Sequence, residues 1–122
     1  MGAKAKRTAI ATALQSGLPS GWAVYPAPPE SLSSQSAVIS PRSPYITRVA
    51  GNVYEVGLQV ALLVNIAVGP LALDILDVAI EALFDDIWGV QSVVMEDVMD
   101  IGQVTEVGGA DYIAATINIT VL

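Results

Sequence analysis

Residues 56–73, VGLQVALLVNIAVGPLAL, carry no charge over eighteen positions and only two strongly polar side chains, Gln59 and Asn65. A run of this length has two solutions, a helix that crosses a bilayer or a segment buried in a protein core. Its internal period decides between them. Even positions read Val56, Leu58, Val60, Leu62, Val64, Ile66 and Val68, while odd positions read Gly57, Gln59, Ala61, Leu63, Asn65 and Ala67, small or polar with one exception. A period of two over thirteen residues predicts a strand with one face in a core. A membrane helix has no reason to alternate, and Val and Ile favour the pleated surface. Gly69-Pro70 then ends the run where a span would be only partly complete. The expectation is a long strand over 56–68 and no membrane span.

Pro70 suits the first turn of a helix, and LALDILDVAIEALFDDIW after it is amphipathic. Leu73, Leu76, Ile80, Leu83, Phe84 and Ile87 form its expected apolar face. Asp74, Asp77, Glu81 and Asp85, spaced by three, four and four, form a row on the opposite face. Gly89 stops the helix.

Upstream, residues 3–16 read as an Ala-rich helix with Ile10 and Leu14 at i, i+4 and Gly17 placed to end it. WAVYPAPPESL (22–32) begins as a short extended segment, and Pro26, Pro28 and Pro29 exclude a central strand. AVISPRSPYITRV (37–49) resumes extended structure, which Pro41 and Pro44 restrict to an edge strand or a projecting arm; Gly51-Asn52 is a turn signal. Downstream, residues 89–107 hold one or two short strands with a loop near Glu96-Asp97 or Gly102, and Gly108-Gly109 makes a hairpin turn. In the closing strand Ile113, Ala115, Ile117, Ile119 and Val121 face one way, and Thr116, Asn118 and Thr120 the other. The order fits one α+β domain over residues 1–122, a mostly antiparallel sheet with two helices packed on one face. Residues 26–48 form a Pro/Ser-rich extended arm or loop within it.

Composition narrows the chemistry. The 122 residues include no cysteine, so disulfides, thiolate metal sites and thiol nucleophiles are excluded, and no histidine, which removes the commonest general base. The chain is expected not to be an enzyme and to carry no cofactor or metal. Hydrophobic residues make up 53% and charged ones 14%, an apolar excess that favours self-association. The N-terminus lacks the compact apolar core of a signal peptide, and Lys6 stands where a myristoylation signal wants Ser or Thr; the protein is expected to be made and kept in a cytosol.

Charge divides along the chain. Lys4, Lys6, Arg7, Arg42 and Arg48 are all the cations, and Glu30 is the only acid before residue 49; residues 49–122 carry eleven acids and no cation. A net-acidic chain is a poor duplex binder, since phosphate affinity comes from Lys and Arg. Opposite charges on the two portions would instead let one copy meet another, or a partner; solvated surface charge is the plainer alternative. The acid row likewise has three readings: a solvated helix face, the wall of an acidic channel or a contact for a basic partner, and a divalent metal site. Glu96, Asp97 and Asp100 form a second cluster without the spacing of an EF-hand loop. Trp22, Tyr25 and Tyr45 flank the Pro-rich stretches with Arg42 and Arg48, a composition used at interfaces and equally in cores.

The Ala-rich helix, GWAVYPAPPESLSSQSAVISPRSPYI, the strand YEVGLQVALLV, the helix ALDILDVAIEALFDDI and the closing VTEVGGADYIAATINITVL together resemble the small tail terminator proteins of long-tailed, siphovirus-type bacteriophages. VGGADYIAATINI is the most specific piece, and the likeness covers nearly the whole chain. It implies a lambda-type tail-terminator-like α+β subunit that assembles with itself into a ring, usually a hexamer. The ring caps the tail tube, ends its polymerisation and provides the head–tail joining surface. Its partners would be the tail tube protein and a head-completion or neck protein. DNA would pass through the lumen without sequence-specific binding, and no membrane is involved. The place of action would be the head-proximal end of the virion tail, after assembly in the host cytoplasm. No catalytic residue transfers.

Two expectations follow for residues. Asp74, Asp77, Glu81 and Asp85, or the 96–100 loop, would line the lumen; Arg42, Tyr45 and Arg48 would touch the neighbouring subunit or the tube. The competing classes are a tail tube or head-completion subunit and a carboxylate-based metal-dependent enzyme.

Overall fold

The structure is a computed structural model that describes residues 3–27, 33–51, 53–66, 71–87, 93–105 and 111–121; for residues 3, 42–44, 49, 50, 53, 84–87 and 93–105 it describes the backbone alone. The described elements are α1 (Ala3–Gly17), β1 (Ala23–Tyr25), β2 (Gln35–Ala50), β3 (Val53–Asn65), α2 (Ala72–Ile87), β4 (Val93–Thr105) and β5 (Asp111–Val121). The fold is α+β. Its sheet has the order β1-β2-β3-β5-β4, antiparallel throughout except for the short β1–β2 pair.

β3 occupies the centre because its alternation supplies a continuous apolar face. Val56, Leu58, Val60, Leu62 and Val64 are all buried, as the period of two requires. Register carries that face to both neighbours: Leu58 and Val60 pair with Ile119 and Ile117 of β5, and Leu62 and Val60 with Ala37 and Ile39 of β2. Ile10 and Leu14 from α1 and Ala72, Leu76, Ala79 and Leu83 from α2 close the same core. Both helices therefore pack on one face of the sheet. Each fully buried Leu, Ile or Val stabilises the fold by about 1.5–3 kcal/mol relative to exposure.

Four details differ from the sequence expectation, each for a physical reason. β3 ends at Asn65, whose backbone N–H donates to the Ser34 carbonyl (2.8 Å), and Ile66 is exposed; Val68 lies outside the described residues. In α2 the buried row is Ala72, Leu76, Ala79 and Leu83, whereas Leu73 is 45% exposed. At about 100° per residue, a sheet-facing row that includes the two alanines displaces Leu73 to the flank. Small side chains also let the helix lie close to the sheet. Phe84 and Ile87 have no described side chains.

β4 is a single strand of 13 residues, where the sequence predicts one or two short ones with a loop. The register slips between Met95 and Val98 and again between Val98 and Asp100, so the predicted break at Glu96-Asp97 is absorbed by bulges. β2, finally, is the second strand of the sheet, yet β1 covers only Ser36, Ala37 and Val38. Pro41 and Pro44 therefore stand on an open edge, where a missing N–H costs no ladder bond. Four residues, 42–45, lie between the pairs Pro41↔Leu58 and Ile46↔Val56, opposite Gly57 alone. The Gly108-Gly109 turn lies outside the described residues.

Beyond that bulge β2 and β3 continue as a two-stranded ribbon. The last β3–β5 pair is Val56↔Val121, while β2 and β3 pair on to Ala50↔Val53. Gly51 begins the turn at φ 53°, the left-handed conformation that a two-residue hairpin needs. The ribbon thus projects past the sheet. The face of the sheet opposite the helices carries a smaller apolar cluster, Val38, Leu63, Tyr112 and Ala114, with Tyr25 and Ala61 against it.

Candidate functional site

The acid row is real as a surface but is not uniform. Asp74, Asp77 and Glu81 are exposed, and the Asp85 side chain lies outside what is described. Asp74 sits in the first turn of α2, where a carboxylate is favoured by the unpaired N–H groups of the helix start. It also lines a groove of about 330 Å³, together with Pro19 and Trp22 from the α1–β1 turn, Gln35 at the start of β2, and Leu71, Ile75 and Val78. Asp77 and Glu81 do not line it.

The groove has a simple origin. Leu71, Ile75 and Val78 recur at spacings of four and three, which places them on one stripe of the helix. That stripe lies beside the sheet-facing row. Leu71 and Val78 are 60% and 55% exposed, and Trp22, at 5%, supplies an apolar wall. Gln15 Nε2 reaches the Trp22 carbonyl at 3.5 Å, and α1 is closed by Leu18 N–H to Leu14 carbonyl at 2.9 Å, so the turn that carries Trp22 is tied to the helix before it. An apolar trough with one carboxylate can take an apolar segment bearing a cation. The 71–75–78 spacing is the sequence signal of this stripe.

The ribbon tip forms a second surface at the other end of the molecule. Cross-strand pairs share a face, so the pairs Ile46↔Val56 and Arg48↔Tyr54 put Ile46, Arg48 and Tyr54 on the helix side of the sheet. There they lie past the cover of the core: Ile46 is 51% and Tyr54 42% exposed, and Arg48 is exposed as well. Arg48 Nε donates to the Gly51 carbonyl at 2.9 Å, which steadies the turn, and the residue as a whole is exposed. Of the other expected contact residues, Tyr45 is half-buried against the main core, and the Arg42 side chain lies outside what is described.

Lys6 anchors this tip, a role the sequence did not signal. It is only 8% exposed, and its Nζ donates to the Tyr54 carbonyl at 3.0 Å, two residues beyond the end of the β3–β5 pairing. An ammonium aimed at a main-chain carbonyl holds a projecting ribbon against α1. Arg7, next in sequence, donates from Nη1 to the Pro26 carbonyl at 3.4 Å, and its buried Nε has no partner among the described residues.

Among the described residues no group of three or more acidic side chains converges to hold a metal ion, and no helix is long and apolar enough to cross a membrane. No protein-family model matches the chain, and no curated protein matches it in sequence.

Proposed function

We propose that the chain is a structural virion subunit, the tail terminator of a long-tailed bacteriophage. In this reading it assembles with itself into a ring that caps the tail tube, ends its polymerisation and offers the head a joining surface. The observation that carries the assembling part is the exposure of Ile46, Tyr54, Ile66, Leu71, Leu73 and Val78 on a small subunit whose core is already filled. Large apolar side chains left outside a complete core are the material of interfaces. The α+β layout, with both helices on one sheet face, agrees with what the sequence resemblance implies.

In such a ring the exposed carboxylates of Asp77 and Glu81 on α2 would face the lumen and repel phosphate, so that DNA slides without being read. The tube protein and a neck protein would occupy the two ring faces. The work would be done at the head-proximal end of the tail, after assembly in the host cytoplasm.

Native mass measurement with negative-stain imaging of the purified protein tests the reading. Closed rings with a central hole are expected, and their capping of pre-formed tail tubes completes the assignment. A tail tube subunit is the second reading, favoured by the two long antiparallel pairs β2–β3 and β4–β5. That reading predicts open cylinders instead of closed rings. A persistent monomer that leaves tube growth unaffected would remove both.

A further inference from the structure

The two surfaces lie at opposite ends of the same hairpin. The groove gathers around Gln35, which pairs with Val64 at the open end of β2–β3, while Ile46, Arg48 and Tyr54 flank its closed end. At about 3.3 Å per residue, the thirteen residues of β3 hold the two roughly 30–40 Å apart. The tip of a chain cannot reach its own groove. The two are nevertheless matched in chemistry: two exposed apolar side chains around a cation at the tip, and apolar walls around a carboxylate in the groove.

We propose that the ribbon tip of one copy docks in the groove of the next, with Ile46 and Tyr54 against Leu71, Ile75 and Val78, and Arg48 paired with Asp74. The inference rests on the self-assembly part of the proposed function and names its contact. The occupant is a second copy because of the charge distribution. No cation follows Arg48 in the chain, so the acidic α2 surface finds its complement in the basic N-terminal portion of another molecule. A contact between two different patches is heterologous, and it propagates head to tail until rotation closes a ring. Sequestering Leu71 and Val78 at the same time removes two of the most exposed apolar side chains from water.

Charge reversal tests the pairing in solution. Arg48→Glu and Asp74→Arg, compared with wild type by analytical ultracentrifugation, should each weaken self-association by about tenfold or more, since each sets like charges together. The double variant Arg48→Glu/Asp74→Arg should recover assembly, and so should an equimolar mixture of the two single variants. In that mixture every tip meets a groove of opposite sign only if the two chains alternate. Ile46→Ser should weaken association without touching charge, and circular dichroism melts should show all variants folded, because every altered side chain is exposed.

Single reversals that assemble like wild type overturn the proposal. So does a failure of both the double variant and the mixture to recover, or a wild type that stays monomeric up to roughly millimolar concentration. Rings that form and survive the single reversals would remove this contact yet leave the terminator reading standing. Loss and recovery of association as described, in assemblies that do not cap tail tubes, would keep the contact and remove the terminator reading.

Discussion

Leu76→Ala and Leu73→Ala separate the observed placement of α2 from the one its sequence pattern implies, because hydropathy alone treats the two leucines as equals. Leu76 has no exposed surface within the core, while Leu73 is 45% exposed. Truncating Leu76 removes three buried carbons at about 0.8 kcal/mol each, and a residual cavity of roughly 40 Å³ adds about 1 kcal/mol. The expected loss is about 3.4 kcal/mol. With an unfolding entropy of about 2.1 cal/mol/K per residue, a chain of 122 residues has a total near 0.26 kcal/mol/K, so Tm falls by about 13 °C. Truncating Leu73 forfeits about half the transfer term, leaves no sealed cavity and gains slightly in helix propensity, for a loss of about 1 kcal/mol or less. Urea titrations of both variants at two protein concentrations provide the measurement. Equal losses at both concentrations refute this placement of α2 against the sheet. A Leu73 effect that grows with concentration would instead report its burial between copies.

Replacing Lys6 with Met keeps the packed stem but removes the donor to Tyr54, so amides of residues 46–48 and 53–55 should exchange about tenfold faster while those at Val60 and Ile117 hold; unchanged exchange at the tip would show that Lys6 does not anchor it. Gly51 has φ 53° and open space where a Cβ would sit, so Gly51→Asn should be nearly neutral and Gly51→Val should cost about 1–2 kcal/mol in chemical denaturation. Asp77 and Glu81 stand at i, i+4, and Asp77→Asn or Glu81→Gln should each stabilise the monomer by a few tenths of a kcal/mol at low salt, a gain that disappears in about 1 M salt. Self-association of the wild type should weaken between about 0.05 M and 0.5 M salt if Arg48 and Asp74 carry it, where a purely apolar contact would hold or strengthen.

What the sequence disclosed about the fold is what periodicity can disclose. The alternation in residues 56–64 and 113–121 specified two central strands and their buried faces, because a strand's period is fixed by its pleat. Asp74, Asp77 and Glu81 likewise marked the outward side of α2. Periodicity failed where neighbouring elements set the outcome. Ala72 and Ala79 face the sheet because they are small, a criterion that hydropathy does not weigh, and their choice sent Leu73 outward. Glu96-Asp97 looks like a loop in isolation, but β5 alongside is long enough to keep β4 paired through bulges. The groove needed Trp22 and α2 to be brought together from fifty residues apart in sequence, and the burial of Lys6 needed the ribbon to pass over α1. Such long-range meetings leave no local trace.

The division of charge along the chain acquires its meaning only through the hairpin. Strands β2 and β3 run the length of the sheet and back, so the change of sign at residue 48 falls at the ribbon tip. α1 brings Lys6 to that same end, where its Nζ donates to the Tyr54 carbonyl. α2 begins beside the opposite end, where Asp74 meets Gln35 and Trp22 in the groove. Glu55 is an acid near the tip, but it pairs with Thr47 and so points to the other face of the ribbon from Arg48. At two places the sequence asymmetry becomes a spatial one: Arg48 stands at the ribbon tip and Asp74 in the groove at the opposite end of the hairpin. Copies joined through that pair of charges meet head to tail. Electrostatics of this kind add little to affinity at exposed sites, yet they choose orientation, and a ring requires every contact to have the same one.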